Sequence, residues 1–324
     1  SHEEVYAVAP HVFGSGVPTL QVGDYAQELV SLNRKATVRY IEQGTMRVYG
    51  SLAGFRRRPK SRVKPTLMHD IAVRYGYPVR TGVPVMGSYV PWRLAMLDMV
   101  RPVSHIDVSI LQMCAESFTK DILSKLTPED LSEVRVYDLN TAVNGCPGLA
   151  YVDKLNRATS AGFPLKKSKK HFLEAVEPFG DYQHPVKVTA EIEEEVGRII
   201  EKVTCEIEKE IDRIIECYES NQTYCPVFTA SLKDEPTSHS KIVSGKTRVF
   251  CGAPMPWSIV VRMYLLSVIR LIQKNRFLFE SGPGTVAQSK EWDDLYQFLV
   301  QFGQDRIVAG DYEKFDKRMP ACVI

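Results

Sequence analysis

The sequence predicts an α+β chain, rich in helices and sparing with strands. Three observations carry that expectation. Over residues 189–219, Ile192, Val196, Ile199, Val203, Ile207, Ile211, Ile214 and Tyr218 recur at three- and four-residue steps, the period of a helix with one apolar face. A second apolar run follows Pro254 and Pro256 and continues to about 279. The stretch "RIVAGD" at 306–311 reads instead as a short buried strand ending on Asp311.

Composition bounds what surrounds these elements. The chain has 324 residues, 44% hydrophobic and 25% charged, the profile of a soluble globular protein of about two domains or one large one. Its longest greasy stretch, "WSIVVRMYLLSVIRLI", is interrupted by Arg262 and Arg270, which argues against a membrane span. The polar start "SHEEVYAVAP" is not a secretion signal, and it lacks Met, as a processed product, a tagged one or a fragment would. The 7 cysteines are odd in number and form no C-x-x-C pair, so they read as reduced, mostly buried thiols of a cytosolic compartment rather than a disulfide frame or zinc site. Net charge is only +2, so local patches say more about partners than the total does.

In chain order, residues 1–45 give no clear signal, and 46–66 are strongly basic. Arg58, Lys60, Arg62 and Lys64 alternate, so an extended strand would put all four on one face, where they could track a phosphate backbone or simply be solvated. Residues 106–132 read as helical. Residues 140–170 are loop-rich, punctuated by Gly145, Pro147, Gly148, Gly162 and Pro164. Cys146 lies in that loop without a compelling His and acid, so a turn cysteine is the better reading than a nucleophile. The helix at 189–219 has Thr189 as an N-cap and Glu191, Glu193 and Glu194 to suit its positive end. Its stripe has the width of a core-facing helix more than of a coiled coil. After the helix at 256–279, "SGPG" makes a turn, 292–302 is helical, and the strand at 306–311 closes the series.

The tripeptide Gly-Lys-Thr at 245–247 invites a phosphate-loop reading. That pattern would put Gly at 240, where the chain has Ser240, and "SKIVSG" offers few small residues to wrap a phosphate, so the P-loop is rejected. Lys233, Lys241, Lys246 and Arg248 are nevertheless clustered, and between two extended arms they could converge on a polyanion through side chains alone. Further on, "VAGDYEKFDKRMP" places Asp311 at a strand end and Asp316 just after it. A carboxylate there suits Mg²⁺, which takes one or two carboxylates plus substrate phosphates.

Four segments, in this order, give the chain a resemblance to the N-terminal portion of an RNA-dependent RNA polymerase of picornavirus-like positive-strand RNA viruses. They are "KSRVKP" (60–65), "TSAGFP" (159–164), "KDEP" with "GKTR" (233–248) and "GDYEKFD" (310–316). The resemblance implies a right-hand polymerase fragment: an N-terminal segment of unknown role (1–45), fingers (46–255) and the beginning of the palm (256–324). It implies that Asp311, with Tyr312 beside it, holds the catalytic Mg²⁺, with Mn²⁺ as the other candidate. Lys233, Lys241, Lys246 and Arg248 would hold the triphosphate, and Asp316 would read the ribose 2′-hydroxyl. Lys60, Arg62, Thr159, Ser160, Gly162, Lys166 and Lys167 would meet RNA. The implied partners are template and product RNA, NTPs and other viral replication proteins, in replication complexes of the host cytoplasm.

The chain departs from that pattern in one respect. Gly-Asp occurs at 23–24, 180–181 and 310–311, each time before Tyr, and no Gly-Asp-Asp follows Asp311. One aspartate cannot hold two metals, so these residues alone are expected to bind RNA or nucleotide weakly and not to polymerise. The alternative is a non-catalytic RNA-binding module using residues 58–64, the cluster Lys166, Lys167, Lys169 and Lys170, and the helix at 189–219. Gln43-Gly44 matches a protease processing site only as a common dipeptide.

Overall fold

The computed structural model describes residues 38–43, 46–50, 60–88, 90–92, 94–95, 107–176, 200–319 and 323. Among them the strands are β1 (Val38–Gln43), β2 (Met46–Gly50), β3 (Thr81–Gly82), β4 (Leu173–Val176), β5 (Ile200–Val203), β6 (Thr229–Leu232), β7 (Thr237–Ser238) and β8 (Val249–Gly252). The helices are α1 (His69–Arg74), α2 (Val108–Lys125), α3 (Pro128–Ser132), α4 (Leu139–Asn144), α5 (Cys205–Glu219), α6 (His239–Val243), α7 (Met255–Lys274), α8 (Lys290–Leu299) and α9 (Phe315–Arg318). The strands pair only in twos: β1 with β2, β3 with β7, β4 with β5 and β6 with β8. The chain divides into two compact units, one of residues 1–111, 230–251 and 312–324, the other of 112–229 and 252–311.

The second unit is built on α5 and α7. Ile207, Ile211 and Ile214 of α5 are fully buried, one helical face at steps of four and three. They pack with Met255, Ile259 and Val260 of α7 and with Ala142 and Val143 of α4. Each such aliphatic side chain contributes on the order of 1.5–3 kcal/mol through removal from water.

The long helix expected over 189–219 is shorter than its period suggested. Residues 189–199, with Thr189, lie outside the described residues. Ile200–Val203 is a strand, paired antiparallel with Leu173–Val176. The helix starts only after Thr204, whose backbone is still extended. Val203 and Ile207 are four apart and both reach the core, so helical spacing continues across a strand–helix junction. The hairpin ladder supplies backbone partners that period alone does not reveal.

Helix α7 begins beside Pro254 and Pro256, as expected, but stops at Lys274, and residues 275–280 are turns. By length and apolar composition it could cross a membrane, despite its two arginines. Its packing marks it as a core helix of this unit. Arg262 donates to the carbonyl oxygens of Ala142 (2.6 Å) and Asp153, and Arg270 pairs with Glu133. The helical expectation for 106–132 splits at Thr127, which caps α3. Its hydroxyl accepts from the Asp130 amide at 3.1 Å, and the Asp130 carboxylate accepts from the Thr127 amide, also at 3.1 Å.

The strand expected at 306–311 does not form. These residues are irregular and exposed, and no described strand pairs with them. An apolar run becomes a strand only when a neighbour completes its ladder. The cysteines also differ from expectation. Among the described ones Cys146 is buried, Cys217 is half-buried, and Cys114, Cys205, Cys225 and Cys251 are exposed, with no disulfide among them. Cys205 opens α5 and Cys251 lies on the two-stranded β6–β8 ladder. Burial pushes the Cys146 thiol up, which suits a turn cysteine and not a nucleophile.

The first unit has a small core of Ala95, Leu232 and Val249, with Met86, Trp92 and Ala230 packed against it. It fixes the ends of β6 and β8, from which the basic arm projects.

Candidate functional site

In the second unit, the turn carrying Thr159, Ser160, Gly162, Lys166 and Lys167 is closed by its own backbone. The Ala161 amide donates to Lys167 O (2.7 Å), Lys166 N–H to Gly162 O (2.7 Å), and Lys169 N–H to Thr159 O (2.9 Å). Ala161 is fully buried, and its carbonyl accepts from the Met255 amide at 2.8 Å, which hooks the turn onto the start of α7. Gly162 has φ +79°, and a Cβ there would lie 2.8 Å from Ala253 O and Pro254 Cα, so only glycine fits. The Phe163–Pro164 peptide is cis. Thr159, Ser160, Lys166 and Lys167 remain exposed.

Two further groups support this turn: Lys169, which the alternative reading put on an RNA-binding surface, and Glu201, which sequence reasoning did not place. Lys169 donates its ammonium to Thr159 Oγ1 (2.9 Å), and burial, with Arg262 nearby, lowers its pKa. Beneath the turn, the buried Glu201 pairs with Arg157 and with Lys154 (3.2 Å), while Asn144 bonds both backbone groups of Glu201. Arg157 O in turn accepts from the Ser168 hydroxyl at 2.9 Å, so the ion pair anchors the base of the turn.

In the first unit, the β6–β8 ladder extends to the basic residues through the Lys233 amide, which donates to Arg248 O at 2.8 Å. Glu235 accepts from both cations, Lys233 at 2.9 Å and Arg248 at 3.2 Å. The Lys233 ammonium, foremost, holds the Glu235 carboxyl below the usual glutamate range. Lys233 and Arg248 therefore stand together on one carboxylate. Glu235 was missed by sequence reasoning, although an acid two residues after Lys233 in "KDEP" was the available signal.

Gly-Lys-Thr proves to be a helix ending. The single-turn helix α6 precedes it, Gly245 N–H donates to Ile242 O (3.1 Å), and Lys246 N–H donates to Lys241 O (2.8 Å). This is the double bond pattern of a Schellman cap, with Gly245 at φ +67°. A phosphate loop would instead lead into a helix at this point. The cap brings the Lys241 and Lys246 backbones together, with both side chains exposed, while Thr247 is buried and donates to Val85 O at 2.8 Å.

Residues 60–64 run beside the same arm. Their burial alternates, Lys60, Arg62 and Lys64 exposed and Ser61 and Val63 half-buried, but no described strand pairs with them. Arg58 lies outside the described residues. Asp234 accepts from Ser61 Oγ at 2.6 Å and from the Arg62 amide at 2.6 Å.

Asp311 closes the second unit, while Tyr312 and Asp316 belong to the first. All three are exposed. Asp316 lies in the first turn of α9, near Cys251. Among the described residues no group of three or more His, Cys, Asp or Glu could hold a metal. An exposed aspartate oxygen does suit Mg²⁺ as one hard ligand, the rest coming from phosphates and water.

Against known proteins, residues 95–324 match the family model described as "Viral RNA-dependent RNA polymerase". The chain is 26% identical over 216 residues to a replicase polyprotein of Acute bee paralysis virus, covering 66% of this chain and 10% of the polyprotein. It is 26% identical over 270 residues to the genome polyprotein of Deformed wing virus (79% and 9%) and 29% identical over 243 residues to the RNA1 polyprotein of Red clover mottle virus (72% and 12%). Among solved structures, it resembles the "Sicinivirus 3Dpol RNA dependent RNA polymerase" with a TM-score of 0.53 and 16% identity, covering 70% of this chain and 42% of that one. The chain thus spans about a tenth of the length of these polyproteins and less than half of the solved polymerase.

Proposed function

The chain belongs to the viral RNA-dependent RNA polymerase family, with the right-hand polymerase fold over its matched part, and from that premise we propose that it carries the RNA path and nucleotide entry of an RNA-directed RNA polymerase. The observation that carries this reading is Glu235 between Lys233 and Arg248, which sets two cations side by side on an exposed arm. A carboxylate shared in this way keeps the cations apart from other acids, and an incoming triphosphate can take its place.

In this reading residues 46–255 serve as fingers and 256–324 as the start of the palm. Lys233, Lys241, Lys246 and Arg248 neutralise the triphosphate, and Asp316 accepts from the ribose 2′-hydroxyl. Thr159, Ser160 and Gly162 guide the template strand, with Lys60, Arg62, Lys166 and Lys167 on its phosphates. The 3′-hydroxyl of the growing RNA attacks the α-phosphorus, the P–O bond to the β-phosphate breaks, and pyrophosphate leaves. Phosphoryl transfer asks the protein mainly for positioning and charge compensation. Asp311, with Tyr312, would hold Mg²⁺ or Mn²⁺, which in a two-metal site activates the attacking oxygen and stabilises the leaving one. Asp311 alone cannot hold two ions, so the 324 residues by themselves bind and do not extend a primer. Kinship with replicase polyproteins supports other viral replication proteins as partners and the host cytoplasm as the setting.

Primer extension tests the reading. In the polymerase completed by the remaining sequence, Asp311→Asn should lower incorporation at least about a hundred-fold, the scale of losing one preorganised charge-stabilising group. Lys233→Ala with Arg248→Ala should raise KM for NTP. Full activity of Asp311→Asn would favour a non-catalytic RNA-binding module, and incorporation by the 324 residues alone would overturn the proposed dependence on further carboxylates.

A further inference from the structure

Asp234 lies between Lys233 and Glu235 but serves a different partner. Lys233 and Glu235 pair with each other, and Glu235 also holds Arg248, whereas Asp234 accepts from Ser61 Oγ and from the Arg62 amide, both at 2.6 Å. Those partners are 173 and 172 residues away in sequence. The Ser61 hydroxyl also accepts from the Val63 amide at 3.0 Å, so one carboxylate fixes three consecutive residues of the basic segment.

The chemistry of this contact is specific. An acid placed only to balance charge would pair with the Arg62 guanidinium or a nearby ammonium. Asp234 instead takes a hydroxyl and a backbone amide. Lys60, Arg62 and Lys64 keep their side chains exposed, and among the described residues Asp234 interacts with the Arg62 charge only as the least of the causes that lower its pKa, after the Ser61 hydroxyl and the Arg62 amide. The contact thus uses the carboxylate chiefly for geometry and leaves the three cationic side chains exposed to a ligand.

We infer that Asp234 is a positioning residue, fixing the basic segment 60–64 beside the Lys233 and Arg248 arm so that Lys60, Arg62 and Lys64 meet the RNA strand as one surface next to the cations that take the triphosphate. The inference rests on the RNA-path reading above and adds to it the group that holds the path together. A flexible basic segment must be ordered when RNA binds, at a cost in affinity. A segment already fixed by Asp234 and Ser61 avoids that cost.

The sign of the effect separates positioning from plain electrostatics. Removing an acid from a basic surface adds one positive charge, which by itself strengthens binding to a polyanion. Loss of positioning weakens it. The test measures affinity of the 324-residue chain for a single-stranded RNA over a range of salt, for the parent, Asp234→Ala, Ser61→Ala and the triple variant Lys60→Ala, Arg62→Ala and Lys64→Ala. Asp234→Ala should bind about five- to ten-fold more weakly at 0.1 M salt. It should also lower the slope of log K against log salt by up to about 2, the value for three lost phosphate contacts on a single strand. Ser61→Ala, which leaves the charge unchanged, should weaken binding less and in the same direction. In the triple background Asp234→Ala should add nothing. Hydrogen exchange at the Arg62 amide should quicken in Asp234→Ala while the rest of the chain keeps its protection. If Asp234→Ala and Ser61→Ala bind as well as the parent or better while the triple variant is weakened, the positioning role is wrong and the RNA path stands. A triple variant that binds like the parent removes the RNA path through 60–64, and the positioning role with it.

Discussion

The turn at 159–169 and the arm at 233–248 both present lysines to solvent, yet different physics holds them. The turn is anchored from below. Its backbone bonds close on themselves, Ala161 is buried, and the buried Glu201 sits under it, paired with the partly exposed Arg157 and Lys154. The arm has a small core, and its side chains are arranged by Asp234 and Glu235 at the surface. Buried anchors make the first region a fixed wall. The Glu235 pairs make the second adjustable, since Lys233 and Arg248 can exchange that surface carboxylate for a ligand phosphate at little cost.

This contrast predicts that substitutions in the turn cost stability, while substitutions in the arm cost binding. The largest effect should come from Gly162→Ala. A Cβ there meets backbone atoms at 2.8 Å, on top of a left-handed conformation, and the variant should lose about 3 kcal/mol or more of unfolding free energy, read from the urea midpoint. Gly245→Ala is the matching change in the arm. Its new Cβ meets only the Val90 side chain, at 2.9 Å, so the loss should be about 1–2 kcal/mol. Equal losses would break the comparison.

The acids give the next step down. Glu201→Gln leaves Arg157 and Lys154 facing a neutral amide at a buried position. Because both cations are partly exposed, the cost should be about 2 kcal/mol, less than for a wholly buried pair. Glu235→Gln should change stability by no more than about 1 kcal/mol, as exposed pairs do. Its readout is NTP affinity, which should shift several-fold because Lys233 and Arg248 lose their shared partner. An unfolding midpoint that drops as far for Glu235→Gln as for Glu201→Gln would erase the distinction.

Acid should produce the smallest effect. The folded pKa of Glu235 is depressed, with Lys233 as the first cause. A depressed carboxyl stabilises the folded state fully above its unfolded value, here 4.5, and loses that contribution as pH falls through the folded value. Hydrogen exchange at the Lys233 amide, corrected for the intrinsic pH dependence, should stay level from pH 7 to 4.5 and rise below. Asp130, held low by the Thr127 hydroxyl and then by Lys274, follows the same sign from 3.8 downward, so α3 should outlast the arm on acidification.

Local sequence determined several features of this protein. The period of Ile207, Ile211 and Ile214 gave a buried helix face, Pro254 and Pro256 marked the start of α7, and "KDEP" with "GKTR" marked the basic arm. Each is a property of neighbouring residues, whose spacing and backbone preference act within a few turns. Tertiary structure decided the rest. Ile200–Val203 became a strand because Leu173–Val176 lies beside it. Residues 306–311 did not, because no described strand does. Gly245 became a helix cap because a helix happens to end there, and Asp234 found its use in Ser61 and Arg62, 173 and 172 residues away. A carboxylate, a glycine or an apolar run carries no record in its own neighbourhood of the group it will meet. Hydrogen bonds and ladders need a second partner, and chain folding alone brings that partner within reach.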